Sequence, residues 1–190
     1  DGRLYVAQQD GLILIYDITQ PAPGQWAAVQ VETLSLIKDI PNHDDDGSLN
    51  TTLAARQVTG ILVTGTAANP VIYVTSSDPR ISTSVDLGLD TNSGILSRLT
   101  WNGSAWNKVD LIRGLPRSEE NHSSNGMVLS VDGTKLLFAV IRLFSGHPVP
   151  DAARLPFYRP DFYGARAKAF THEAMRGPSP CMAGVIPWSS

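Results

Sequence analysis

The stretch Asn69-Pro70-Val71-Ile72-Tyr73-Val74-Thr75 decides how this chain is read. Asn-Pro makes a turn, and the five residues after it are all β-branched or aromatic, the side chains that sit best on a pleated, half-buried surface. The same arrangement opens the chain as Asp1-Gly2-Arg3-Leu4-Tyr5-Val6-Ala7. It returns with one extra residue as Asp132-Gly133-Thr134-Lys135-Leu136-Leu137-Phe138-Ala139. Tyr5, Tyr73 and Phe138 mark the register, 68 and then 65 positions apart. A Gly-led second strand follows the first two copies, at 11–16 and 94–99. A tryptophan then opens a third strand in each: Trp26 ahead of Val29 and Val31, Trp106 ahead of Val109 and Leu111.

Short strands, turn residues between them and a long repeat describe an antiparallel sheet used more than once. Such a unit cannot bury both faces alone and must stack on copies of itself, which is the construction of a β-propeller. The fold class expected is therefore all-β: a partial β-propeller of about two to two and a half antiparallel blades. Propellers use four to eight blades, so a ring is not complete within these residues. The chain is expected to be a fragment with a sheet face left for missing blades of the same propeller. The third copy has its first strand, Lys135 to Ile141, and no Gly-led second strand behind it.

Composition divides the 190 residues near Arg142. Residues 1–142 hold 12 Val, 11 Ile and 12 Thr, whereas 143–190 hold 2 Val, 1 Ile and 1 Thr. The tail also carries 7 of the 13 prolines, each of which removes a backbone donor. Two domains are expected: a partial propeller over 1–142, and an irregular Pro-rich C-terminal tail over 143–190 with no complete strand pair. The tail has two readings, an extension ordered only by packing, or a stretch translated out of frame. Codons for residues 142–148 can be chosen that, read one base later, give Gly, Tyr, Ser, Gln, Gly, Thr and Pro.

A net charge of -3 argues against a nucleic-acid partner, whose grip rests mainly on neutralised phosphates. No apolar run reaches the roughly 18 residues of a membrane-spanning helix. The single cysteine, Cys181, excludes an internal disulfide and a Cys-rich zinc site. His43-Asp44-Asp45-Asp46-Gly47 gathers oxygen ligands, but adjacent acids lack the alternating spacing of a calcium loop and read as a solvated turn. His147, His172 and Glu173 are too scattered for a metal motif, so no metal-ligating residue is named. Asn50-Thr51-Thr52, Asn102-Gly103-Ser104 and Asn121-His122-Ser123 fit the N-glycosylation pattern.

The most distinctive segment runs from Gly114-Leu115-Pro116 through Asn121-His122 to Gly126. An imidazole in such a loop can act as a general base, with neighbours fixing its tautomer. The plain alternative is a polar turn with His122 solvated.

The segment resembles the one carrying the catalytic histidine in the soluble, pyrroloquinoline-quinone (PQQ)-dependent glucose and sorbosone dehydrogenases. Gly114-Leu115-Pro116, Asn121-His122, Gly126 and Asp132-Gly133 match that family's pattern. Upstream, 59–74 and the opening 1–13 are similar to its earlier blades, so the likeness covers residues 1–141 in blade order. The resemblance implies a six-bladed propeller, secretion to an extracellular or periplasmic location with any signal peptide upstream, and oxidation of a sugar hydroxyl with hydride passing to PQQ. It implies His122 as the catalytic base. It also places Arg56, Gln57 and Asn121 at the sugar, although Asn121 replaces an acid and Gln57 falls a residue or two late. PQQ and calcium are implied as cofactors, but their ligands come from later blades and no matching segment occurs here. Three functions stay open: a quinoprotein sugar dehydrogenase, incomplete and inactive as this fragment; a non-catalytic carbohydrate- or protein-binding propeller module of a secreted protein; or a gene remnant.

Overall fold

The computed structural model describes residues 2–44, 46–53, 55–80, 92–115, 117, 123–141 and 181–187. Among the described residues all regular structure is β, in ten strands: β1 Arg3–Ala7, β2 Ile13–Ala22, β3 Gln25–Leu34, β4 Gln57–Gly65, β5 Pro70–Ser77, β6 Gly94–Trp101, β7 Trp106–Leu115, β8 Ser124–Leu129, β9 Lys135–Ile141 and β10 Cys181–Pro187. No helix among them is long and apolar enough to cross a membrane. The strands form three antiparallel sheets with orders β1-β2-β3, β4-β5-β6-β7 and β10-β9-β8.

Local chemistry sets the hairpins. Between β6 and β7, Gly103 takes a left-handed φ of 98°, which a side chain would disfavour. The Asn102 carboxamide oxygen accepts from the Ser104 and Ala105 amides at 3.0 and 2.8 Å, closing the turn so that Trp101 pairs with Trp106. The two indoles meet tilted, with centroids 5.7 Å apart.

The four-stranded sheet lies in the middle and is buried on both faces. Strand alternation sends Ile72 and Val74 to one side and Tyr73 to the other. The first side packs against Ile13, Ile15 and Leu34 of the first sheet and against Ile37 and Ile40 from the turn that follows β3. The second packs Tyr73, Leu96 and Leu115 against Leu136 and Phe138 of the third sheet. Trp106 reinforces the first contact, its indole N–H donating to Glu32 at 2.8 Å.

Three expectations are corrected. First, the turn-and-strand motif does not begin its sheet: β4 pairs ahead of β5, and β8 ahead of β9. Second, Phe138 is not the counterpart of Tyr5 and Tyr73. Tyr5 and Tyr73 each face the following sheet, whereas Phe138 faces the preceding one. Leu137 is the counterpart; the run Leu136-Leu137-Phe138 has no alternation to fix its register, and a slip of one residue reverses the faces. Third, the tail is not irregular throughout. Cys181–Pro187 pairs with β9 in unbroken register, from Cys181↔Ile141 to Pro187↔Lys135, in the place that the Gly-led second strand holds in the other sheets. Averaging over the Pro-rich tail concealed this segment: Met182-Ala183-Gly184-Val185-Ile186 is proline-free, and Pro187 comes last, where a lost donor matters least. The rest of the tail lies outside the described residues.

A candidate site at the polar end of the stack

The start of β4, the end of β5 and the start of β6 lie at one end of the central sheet because their pairing is antiparallel. The start of β8 joins them. The Thr59 hydroxyl donates to the Ser124 carbonyl, and the Thr75 hydroxyl to the Asn125 carbonyl at 3.2 Å. At this end the apolar sequence of β5 gives way to Ser76-Ser77-Asp78, all fully buried.

Two arginines organise the polar groups. Arg56, 1% exposed, donates from Nη1 to Asn42 Oδ1 at 3.1 Å, from Nε to Ser76 Oγ at 3.2 Å, and from Nη2 to the Ser93 carbonyl. Asn42 in turn donates to the Ala55 carbonyl at 2.7 Å, which ties the chain before β4 to the loop after β3. Arg80 clasps Asp78 Oδ2 through Nε and Nη2, at 2.8 and 2.6 Å. It also bonds Asp44 and, at 2.7 Å, the His43 carbonyl. The Arg80 bond, followed by that from Asn50, holds the Asp44 carboxyl below its ordinary range. Asp78 and Asp44 together hold the guanidinium charged, against its partial burial. Buried Arg117 donates to the Arg80 carbonyl.

Beside this network lies a second group with the opposite property. Gln57 Oε1, Ser77 Oγ, Ser123 Oγ and Ser124 Oγ are buried and have no hydrogen-bond partner among the described residues. Gln57 and Ser77 are register partners across β4 and β5, and Ser124 lies beside Thr59. A buried polar group left unmatched costs about 1–3 kcal/mol, so these four call for partners from ordered water, an ion or another molecule. One amide oxygen and three hydroxyls suit a neutral, hydroxyl-rich molecule.

The residues singled out in the sequence divide accordingly. Gln57 belongs to the unmatched group. Arg56 is close in sequence, but its guanidinium is engaged by the scaffold. Asn121 and His122 lie outside the described residues; Ser123, next in sequence after His122, lies at the same end as Gln57. Ser77, Ser123, Ser124 and the Asp78–Arg80 clasp were not foreseen, because single serines carry no pattern. The available signal was Ser76-Ser77-Asp78, a polar run directly after an apolar strand. In the acidic turn, Asp44 faces Arg80, Asp46 accepts from the Ser48 amide at 2.8 Å, and Asp45 lies outside the described residues. Among the described residues no group of three or more His, Cys, Asp or Glu is placed to hold a metal ion.

Comparison with known proteins adds no assignment: no family model matches the chain, and no curated protein or solved structure matches it.

Proposed function

We propose that this chain forms the sugar-binding end of a β-propeller of the soluble quinoprotein sugar dehydrogenase type. The observation that carries the reading is the group of buried, unmatched polar atoms on Gln57, Ser77, Ser123 and Ser124. It is supported by the repeat, by the stacking of the three sheets, and by the position of His122 in sequence immediately before Ser123. Hydroxyls of a sugar would complete the hydrogen bonds that the chain leaves open. A site built to bond hydroxyls also discriminates against analogues that lack them.

The groups implied for the full reaction do not fit the described residues. Asp44 and Asp78 are both engaged by Arg80, and among the described residues no group of acids is placed to cage calcium. Arg56 is held by Asn42, Ser76 and Ser93 rather than offered to an anionic quinone. The function proposed for this chain is therefore binding, with His122 as the group that would accept a hydroxyl proton in an intact propeller, and no redox step is assigned to it.

Titration calorimetry of the purified chain with glucose and other aldoses tests the reading. Saturable binding that is lost in Gln57→Leu and Ser124→Val and survives in His122→Ala supports it. Absence of binding to any of the sugars would refute it. In a complete propeller, His122→Ala should lower turnover about 10²-fold or more with little change in stability.

A further inference from the structure

The three stretches that fit the N-glycosylation pattern part company in the fold. Asn102-Gly103-Ser104 forms the tip of the hairpin between β6 and β7, where Asn102, Gly103, Ser104 and Ala105 are all exposed. Nothing lies within 4 Å of the place where a Cβ on Gly103 would be, so the space around the tip is open. Asn50-Thr51-Thr52 follows the acidic turn, and Asn50 is half-buried. Asn121 and His122 lie outside the described residues.

At the carboxamide oxygen the two described sites are alike. Asn102 Oδ1 accepts from the Ser104 amide and the Ser104 hydroxyl, both at 3.0 Å, and from the Ala105 amide at 2.8 Å. Asn50 Oδ1 accepts from the Thr52 amide at 3.0 Å, the Thr52 hydroxyl at 2.7 Å and the Leu53 amide at 3.2 Å. Each turn is closed by contacts between near neighbours in sequence and needs no sheet in order to form. At the nitrogen the two differ. Asn50 Nδ2 donates at 3.2 Å to Asp44 Oδ1, which Arg80 also holds. Asn102 Nδ2 makes no hydrogen bond among the described residues; with its oxygen tied into the turn, the nitrogen is the end left to solvent.

The surroundings differ in the same sense. Through Asp44 and Arg80, Asn50 is part of the polar end, and a sugar on its nitrogen would be set against that ion pair. Asn102 lies at the opposite end of the central sheet, since β6 starts at the polar end and runs to Trp101. At about 3.4 Å per residue that strand carries it roughly 20–25 Å away. A bulky group on Asn102 thus leaves the polar end open.

From these contrasts we propose that Asn102 is a modification site, carrying an N-linked oligosaccharide on Nδ2. The proposal includes passage of the chain through a secretory compartment that holds the donor, a lipid-linked oligosaccharide diphosphate. In the transfer a bond forms between Nδ2 and the anomeric carbon of the first sugar. The bond from that carbon to the diphosphate oxygen breaks, its electron pair leaving with the lipid diphosphate, and the carboxamide gives up one proton. Oδ1 is untouched, so the turn survives the modification. The assignment is independent of what the polar end binds.

Peptide mass spectrometry of the chain purified from the cells that make it tests the proposal, before and after treatment with a peptide-N-glycosidase. The peptide holding Asn102 is expected to carry a glycan mass that the enzyme removes, and the peptide holding Asn50 to carry none. In the same cells Ser104→Ala should abolish the glycan mass, whereas Ser104→Thr should retain it. Ser104→Ala keeps both amide bonds that close the turn and leaves Asn102-Gly103 in place, so spontaneous deamidation at that pair cannot mimic the result. A bare Asn102 in the parent chain would overturn the proposal. So would a glycan mass that persists in Ser104→Ala, or occupancy of Asn50 equal to or above that of Asn102.

Discussion

The carbonyl of Asn125 occupies the space that a side chain on Gly60 would need. A Cβ built at Gly60 would stand 2.5 Å from that oxygen and 2.6 Å from Thr75 Oγ1. Here β4 of the central sheet meets β8 of the third, with the Thr59 hydroxyl bonded to the Ser124 carbonyl and the Thr75 hydroxyl to that of Asn125. Backbone cannot yield as a flexible side-chain end can. Gly60→Ala is therefore expected to destabilise the chain by about 2 kcal/mol or more, through forced separation of two packed sheets. Gly126→Ala, at the corresponding position of β8, meets open space and should change the stability of a single copy by less than about 0.5 kcal/mol. Urea denaturation of both variants checks the pair; equal effects would contradict the asymmetry.

Arg56 supports a different prediction. Its guanidinium is the donor for Asn42 Oδ1, Ser76 Oγ and the Ser93 carbonyl, three groups from three separate segments. Arg56→Met keeps much of the volume but removes these donors, and a loss of about 3 kcal/mol is expected from acceptors left unmatched in the interior. Arg56→Lys keeps the charge but not the planar fork, and should recover only part of the loss. Were Arg56 instead a ligand contact, both variants would fold at parental stability.

How much of this was legible in the sequence depended on how firmly each segment fixes its own register. The copies around Tyr5 and Tyr73 are also uniformly apolar, but each sets a single tyrosine three residues after its Gly2 or Pro70, and their antiparallel partners follow at once. In Leu136-Leu137-Phe138 every residue is apolar, so only contact with the central sheet decides which faces inward. β4 and β8 were hidden because Thr59-Gly60 and Asn125-Gly126 look like turn residues, whereas both pairs lie in strands and the missing side chain at Gly60 lets the Asn125 carbonyl of β8 approach closely. The polar end was legible only at Gln57, since the partners of Arg56 come from Asn42, Ser76 and Ser93, far apart in sequence.

Acid sensitivity follows from the turn between β8 and β9. The Ser130 hydroxyl at 2.5 Å, followed by the Thr134 amide at 3.0 Å, lowers Asp132 from its ordinary 3.8 to about 2. A carboxyl with a depressed value in the folded chain stabilises it in the ionised form. Its contribution is fully present above pH 3.8 and disappears as pH falls from there through about 2. Carbon-13 NMR of the Asp132 carboxyl should titrate near 2, and Asp132→Asn should flatten the acid limb of stability over that window. A carboxyl titrating near 3.8 would show that the turn does not hold in solution.

The pairing of β10 with β9 yields the last prediction. In an antiparallel ladder, alternate residues of a strand point their amides to opposite neighbours. The amides of β9 are thus divided between β8 on one edge and β10 on the other. A chain ending before Cys181 would leave the second set as a bare edge, open to water and to pairing with other chains. Hydrogen exchange over Lys135–Ile141 should then rise at alternate amides only, while the set that faces β8 stays protected and Leu136 and Phe138 stay packed on the central sheet. Uniform loss of protection would mean that β10 supports the whole third sheet. An unchanged pattern would mean that Cys181–Pro187 does not pair with β9 at all, and would restore the irregular tail that its composition led us to expect.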